Sequence, residues 1–222
     1  MRILITGGHT EVPIDKVRSI TNIFKGKTGY DLAQHFLDKK NYIHLISNKN
    51  ITEKLMDNEI YWHLDYVCSS YRTYDELYTI MEQSIKTERY DVIIHSAAVS
   101  DYKVDGVVGG NLVQIDNSAK ISSDHDVLYL KLVKTEKIID KIREWGFKGT
   151  LVKFKLQVGI SDEELIEIAE KSRVASGADI IVANCLEWAK DRAIILADGI
   201  NKPVCRNWLP RELEKVIKKV RK

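Results

Sequence analysis

The chain has 222 residues, 44% hydrophobic and 30% charged, enough for one well-buried α/β core and short for two independent domains. Its 34 basic and 32 acidic residues nearly cancel to +2, so the balance marks neither a nucleic-acid nor a membrane binder. Cys68, Cys185 and Cys205 stand far apart with no CxxC spacing, and the six histidines form no HExxH or HxH pair, which argues against a disulfide framework, structural zinc or a dedicated metal cage.

In chain order, Arg2–Thr6 reads as a buried strand running into Gly7, with too few apolar residues for a signal peptide or membrane span; a reducing, cytosolic domain is expected. The helix that should follow is postponed to Thr28–Asp38, leaving a loop that the fold alone does not require. Strands are predicted at Tyr42–Ser47, Ile60–Val67, Val92–Ser96, Thr150–Leu156 and Ile180–Asn184. Helices are predicted at Thr73–Thr87, Lys134–Trp145, Asp162–Ser176 and Pro210–Arg221; the basic run from Lys215 reads as a solvated helix face. This alternation predicts an α/β fold: a doubly wound, mostly parallel Rossmann-like sheet with ligands at the strands' carboxyl ends. Asp101–Val133 breaks the rhythm, with strand pieces at Leu112–Ile115 and Val127–Leu132, and reads as a β excursion, a flap or dimer arm. With no repeat or Pro-rich linker, residues 1–222 read as a single domain carrying that insertion.

Several cheap motifs fail. GGHTEV at Gly7–Val12 does not satisfy GxGxxG, and GKT at Gly26–Thr28 lacks the earlier glycine of a Walker loop, where Thr21 stands. No tyrosine has a lysine four residues on, and no GxSxG elbow occurs.

Five segments in order resemble the phosphopantothenoylcysteine synthetase family, and together they span nearly the whole chain. They are ITGGHTEVPIDKVRSITNIFKGKTGYDLA from Ile5, SAAVSDY at Ser96–Tyr102, KIS at Lys120–Ser122 with the following LKLVKTEKII, FKL at Phe154–Leu156, and ADIIVAN at Ala178–Asn184. The resemblance implies a stand-alone phosphopantothenate–cysteine ligase of coenzyme A biosynthesis, in which a nucleoside triphosphate, CTP or ATP with CTP preferred, converts 4′-phosphopantothenate to an acyl-nucleotidate. Pyrophosphate leaves and cysteine's amine attacks. It also implies Mg²⁺ held largely by substrate phosphates, a homodimer formed through the β excursion, and a separate phosphopantothenoylcysteine decarboxylase.

By this resemblance Asn22 contacts the acyl intermediate and Lys120 is the catalytic cation near the α-phosphate; from sequence alone, a turn former and a solvated loop lysine are the alternatives. Ala97, Asp101, Lys120, Thr135, Glu136, Lys137, Ile138, Phe154 and Lys171 are implied to bind nucleotide, and Arg18, Asn22 and Gly26 to bind substrate. Gly26 and Gly29 would let backbone approach an anion near the helix start, with a simple turn as the alternative. The chain departs from the family at Ile23-Phe24-Lys25, where small hydroxyl residues are usual, at Glu136 in place of proline, at Ala175 and Ser176 in place of a helix lysine, and at Cys185 in place of aspartate. On fold alone an NAD(P)-dependent reductase is the rival, opposed by the failed motifs; the departures keep a non-catalytic nucleotide-binding regulatory module in play.

Overall fold

The computed structural model describes residues 1–61, 65–110 and 112–221. An eight-stranded sheet is built from β1 (Arg2–Thr6), β4 (Tyr42–Ser47), β5 (Tyr66–Ser70), β6 (Val92–His95), β10 (Thr150–Gln157), β11 (Ile180–Cys185), β12 (Arg192–Ala197) and β13 (Ile200–Cys205). The spatial order is β13-β12-β11-β10-β6-β1-β4-β5, parallel from β5 to β11 and antiparallel at β12 and β13. β1 lies between β4 and β6, so the chain winds outward from it in both directions and the switch point falls at the carboxyl ends of β1 and β6.

The apolar runs RILIT, VIIH and IIVANC form strands because both faces of the sheet are covered. Side-chain alternation sends Ile3, Ile5, Ile43 and Val182 to one face, against α1 (Lys27–Asp38), α2 (Lys49–Met56) and α6 (Leu209–Val220). Leu4, Ile93 and Leu151 take the other face, against α3 (Tyr74–Thr87) and α4 (Ile138–Glu144), while Ile181 and Ala183 pack on α5 (Asp162–Ala175). Each fully buried Leu or Ile is worth about 2 kcal/mol, and truncating the buried Phe36 of α1 to alanine costs about 3–5 kcal/mol. α3 and α5 start at capping boxes, Thr73 with Glu76 and Ser161 with Glu164.

The postponed helix is explained by a hairpin, β2 (Glu11–Pro13) paired with β3 (Ser19–Thr21). The β excursion is a three-stranded antiparallel sheet of β7 (Tyr102–Gly109), β8 (Gln114–Ile115) and β9 (Leu128–Lys134). The structure corrects some boundaries. α4 begins at Ile138 rather than Lys134, because β9 extends through Lys134 to pair with Tyr102. The strand expected at Ile60–Val67 is β5, from Tyr66; Glu59–Tyr61 forms a 3₁₀ turn, and residues 62–64 of that expectation lie outside the described residues. β12, β13 and α2 were not anticipated. No helix among the described residues is long and apolar enough to cross a membrane.

Candidate active site

The rim begins at the glycine turn after β1. Gly8 is left-handed (φ 81°), as is Gly26 (φ 84°), the cap residue of α1. A Cβ on Gly26 would stand 2.8 Å from the Gly8 nitrogen, and one on Gly29 would stand 2.7 Å from the Gly7 Cα. These glycines therefore interlock with each other, which gives Gly26 a packing requirement of its own. The turn leads into the hairpin, so the strand–turn–helix cradle of a dinucleotide fold is not formed here.

The hairpin is tied at base and tip. Its base forms isolated parallel bridges from His9 to Ala98 and from Glu11 to Thr73. At the tip, Asp15 Oδ1 accepts the Val17 and Arg18 amides at 2.8 Å each. Asp15 Oδ2 accepts from Arg18 Nε (3.0 Å), Arg18 Nη2 (2.6 Å) and the Ile121 amide (3.1 Å). Arg18 Nη2 also donates to the Ile121 carbonyl at 3.0 Å, and Asn117 Nδ2 to the Ile14 carbonyl at 2.9 Å. The Arg18 guanidinium, outweighing burial and helped by the Val17, Ile121 and Arg18 amides, holds the Asp15 carboxyl well below the usual carboxylate range. Arg18, expected at a phosphate or an interface, is thus committed within the chain to Asp15. This clamp fixes Ile121, buried in an otherwise polar stretch, and with it the neighbouring Lys120, which is exposed and in no ion pair among the described residues.

Asn22 sits where the hairpin returns to α1, its Nδ2 donating to the Ala98 carbonyl at 3.1 Å. Ala98 also donates its amide to the Gly8 carbonyl (2.8 Å) and accepts from the Thr10 amide (3.2 Å). The Ala97 amide donates to Thr6 Oγ1 at 3.2 Å, an oxygen that also meets His95 Nδ1 at 2.8 Å. Burial, reinforced by the Lys153 cation, pushes the His95 imidazole down to about 4. Thr135 joins the same loop: its Oγ1 donates to the Ser100 carbonyl (2.8 Å) and its amide to the Asp101 carbonyl (3.0 Å). The structure therefore brings Asn22, Ala97, Asp101 and Thr135 to one rim, with the Asp101 side chain exposed.

Other expected residues lie differently. Lys137 caps α4, the Glu136 carbonyl accepts from Tyr74 Oη at 2.9 Å, and Glu136 pairs with Lys141 at 3.5 Å. Ile138 is a core residue, leaving its backbone alone for a ligand. Phe154 is partly buried against the core face shared with α1. Lys171 stands apart: it is exposed nine residues into α5, about 14 Å below that helix's start, and pairs with Glu167 at 2.5 Å.

Two cations escaped the sequence reading. Lys153, buried on β10, donates to the Ser172 carbonyl (3.1 Å) and to the hydroxyls of Ser172 and Ser176 (3.0 Å each), and burial lowers its ammonium to about 8. Arg206, between β13 and α6, joins Thr28 Oγ1 at the start of α1 to Asn184 Oδ1 (3.1 Å), and burial pushes its guanidinium down. Arg206 has no carboxylate partner among the described residues. Cys185, beside Asn184, donates its thiol to Glu187 at 2.7 Å.

A doubly wound sheet with polar loops over its switch point defines an α/β protein that takes its ligand at the carboxyl edge. Residues 1–200 match the family described as the DNA/pantothenate metabolism flavoprotein C-terminal domain, and the chain belongs to that family. It is 34% identical over 186 residues to the coenzyme A biosynthesis bifunctional protein CoaBC of Thermococcus kodakarensis, covering 84% of this chain and 41% of that protein. The chain thus spans about two fifths of the length of the curated relatives it matches. The crystal structure of the DNA/pantothenate metabolism flavoprotein from Streptococcus pneumoniae is 30% identical, with a TM-score of 0.83 and 99% of both chains covered. A Cab2 mutant H337A in complex with phosphopantothenate-cysteine shares the fold (TM-score 0.78, 17% identity, 99% of this chain and 87% of that one).

Proposed function

We propose that the chain is a phosphopantothenate–cysteine ligase. A nucleoside triphosphate activates the carboxylate of 4′-phosphopantothenate as an acyl-nucleotidate, pyrophosphate leaves, and cysteine's amine displaces the nucleotide. The observation that carries this reading is the convergence of Asn22 on Ala98 with the Asp15 clamp on Ile121, which ties the Lys120 segment to the loop over the switch point.

In this reading Asn22 donates to the developing oxyanion and Lys120 offsets charge on the α-phosphate. Ala97, Asp101, Thr135 and the backbone of Glu136, Lys137 and Ile138 take the nucleoside, with Phe154 against the base. Arg206, Lys25 and the amides at Gly26 face the triphosphate, and Arg206 takes the part expected of Lys171. Arg18 acts through Asp15. Mg²⁺ is carried on the substrate phosphates and water rather than in a protein cage. When bound, that ion would neutralise charge on the triphosphate as the nucleotidyl group is transferred. CTP is the preferred nucleotide and ATP the alternative.

The exposed apolar residues of the β excursion, Val127, Tyr129 and Leu132 among them, support a homodimer formed through it. A cytoplasmic location and a separate phosphopantothenoylcysteine decarboxylase acting on the product complete the reading.

The test is pyrophosphate release dependent on phosphopantothenate, run with CTP and ATP in parallel and followed by cysteine-dependent formation of phosphopantothenoylcysteine. Nucleotide binding without pyrophosphate release would favour a regulatory module instead.

A further inference from the structure

Two buried polar side-chain atoms among the described residues lack a hydrogen-bond partner: His9 Nδ1 and Ser47 Oγ. Both flank the glycine turn. Ser47 is fully enclosed beneath it, 3.3 Å from where a Cβ on Gly7 would stand. His9 is the residue after Gly8, held by Asn48, which accepts its amide at 2.8 Å and donates to its carbonyl at 2.9 Å. The residue is half-buried, with Nδ1 itself enclosed. His35, His44 and His95 each have a ring nitrogen engaged by a neighbour, Glu214, Tyr90 and Thr6 respectively. His9 is bound by its backbone and uncommitted at its ring.

Its position gives that ring a use. The backbone at His9 bridges to Ala98, the residue whose carbonyl Asn22 grips, so His9 and Asn22 meet at one peptide of the rim. Aminolysis needs a proton acceptor there, because cysteine arrives as an ammonium and is not nucleophilic until it loses a proton. The other ionisable groups of the rim are poorly suited. Lys120 is a cation, Asp15 is saturated by Arg18 and three amides, and Glu136 pairs with Lys141. Asp101 is exposed, and Glu11, two residues beyond His9, pairs with Arg72 at 3.6 Å. Imidazole is the side chain suited to accept a proton near neutral pH.

We propose that His9 is the general base of the aminolysis step, an inference that rests on the ligase reading. The cysteine ammonium gives one proton to the imidazole. Its nitrogen then forms the C–N bond at the acyl carbon, and the bond from that carbon to the phosphoryl oxygen breaks. The nucleoside monophosphate departs with the electron pair and takes the second proton of the amine as the adduct collapses. His9 returns its proton to water.

The experiment resolves the two half-reactions in the full chain, with phosphopantothenate, Mg²⁺ and CTP or ATP, for the wild type, His9→Asn and His9→Gln. The first half-reaction is read as pyrophosphate and the second as nucleoside monophosphate released on adding cysteine. Both variants should release pyrophosphate within about threefold of the wild type and monophosphate about a hundredfold more slowly. Hydroxylamine, already uncharged at neutral pH, should capture the acyl-nucleotidate equally fast in variant and wild type. Variants that aminolyse at the wild-type rate, lose cysteine and hydroxylamine capture together, or lose both half-reactions would overturn the proposal. A wild type that releases no phosphopantothenate-dependent pyrophosphate would instead overturn the ligase reading, and His9's role with it.

Discussion

The carboxylate of Asp15 accepts the backbone N–H of Ile121 at 3.1 Å, joining the tip of the first hairpin to a segment 106 residues away. Removing its negative charge releases both Arg18 and Ile121. Asp15→Asn should therefore lower kcat about a hundredfold, since an ångström of misplacement in a catalytic group costs that much. Far-ultraviolet circular dichroism should stay unchanged. Steady-state kinetics checks this, and unaltered kcat would mean that Lys120 holds its place without the clamp.

Lys120→Met should slow ligation by about a hundredfold to a thousandfold, as removal of one charge-stabilising donor does. If the lysine acts mainly in aminolysis, the acyl-nucleotidate should accumulate and be trapped by acid quench. Undiminished turnover at saturating substrate would remove Lys120 from the mechanism.

Gly26 and Gly146 are both left-handed, at φ 84° and 97°, but a Cβ at Gly146 meets nothing within 4 Å. Gly146→Ala should thus cost about 1 kcal/mol from backbone strain alone. Gly26→Ala adds the collision with Gly8 and should cost roughly 2–4 kcal/mol. Paired urea denaturation curves measure the difference, and equal losses would mean that the turn yields.

The ammonium of Lys153 is depressed by burial from 10.5 to about 8, so between those values the unfolded chain holds more protons than the folded one. Its contribution to stability therefore rises with pH across that window, by on the order of 3 kcal/mol. Below about pH 8 both states are protonated and the burial cost stands in full. Cys68 opposes it, because burial raises its thiol to about 11 and stability falls as pH passes its unfolded value. The readout is thus the difference in pH slope between the wild type and Lys153→Met. The variant should lose the rising component, and identical slopes would show the lysine to be better solvated.

Much of this fold was legible in residue order alone. β1, β6 and β11 announce themselves as continuous apolar runs, β4 and β10 as apolar runs interrupted by His44 and by Lys153 and Lys155, and α3 and α5 by Thr73 and Ser161 three residues before a glutamate. The hairpin was not legible. Three-residue strands carry no periodicity, and these exist because His9 and Glu11 find bridge partners in Ala98 and Thr73. β12 and β13 carry a readable turn signal: Asp198-Gly199, with Gly199 left-handed, joins Ala197 at the end of the apolar run of β12 to Ile200 of β13. At the candidate site, Asn22, Ala97, Asp101 and Thr135 could be singled out through family resemblance. Asp15 could not, because its short polar turn looks like surface until the distant Ile121 closes over it. Lys153 and Arg206 were hidden for a similar reason: strand and loop lysines or arginines are ordinary until their polar neighbours arrive from other elements.

Pro203 lies on β13, the outermost strand, in register with Ile194 of β12. A proline has no N–H to offer an incoming strand, and on a margin its ring obstructs the approach. The eight-stranded sheet is thereby sealed along that flank against lateral growth by further strands. Self-association that continued the sheet there would meet a blunt border.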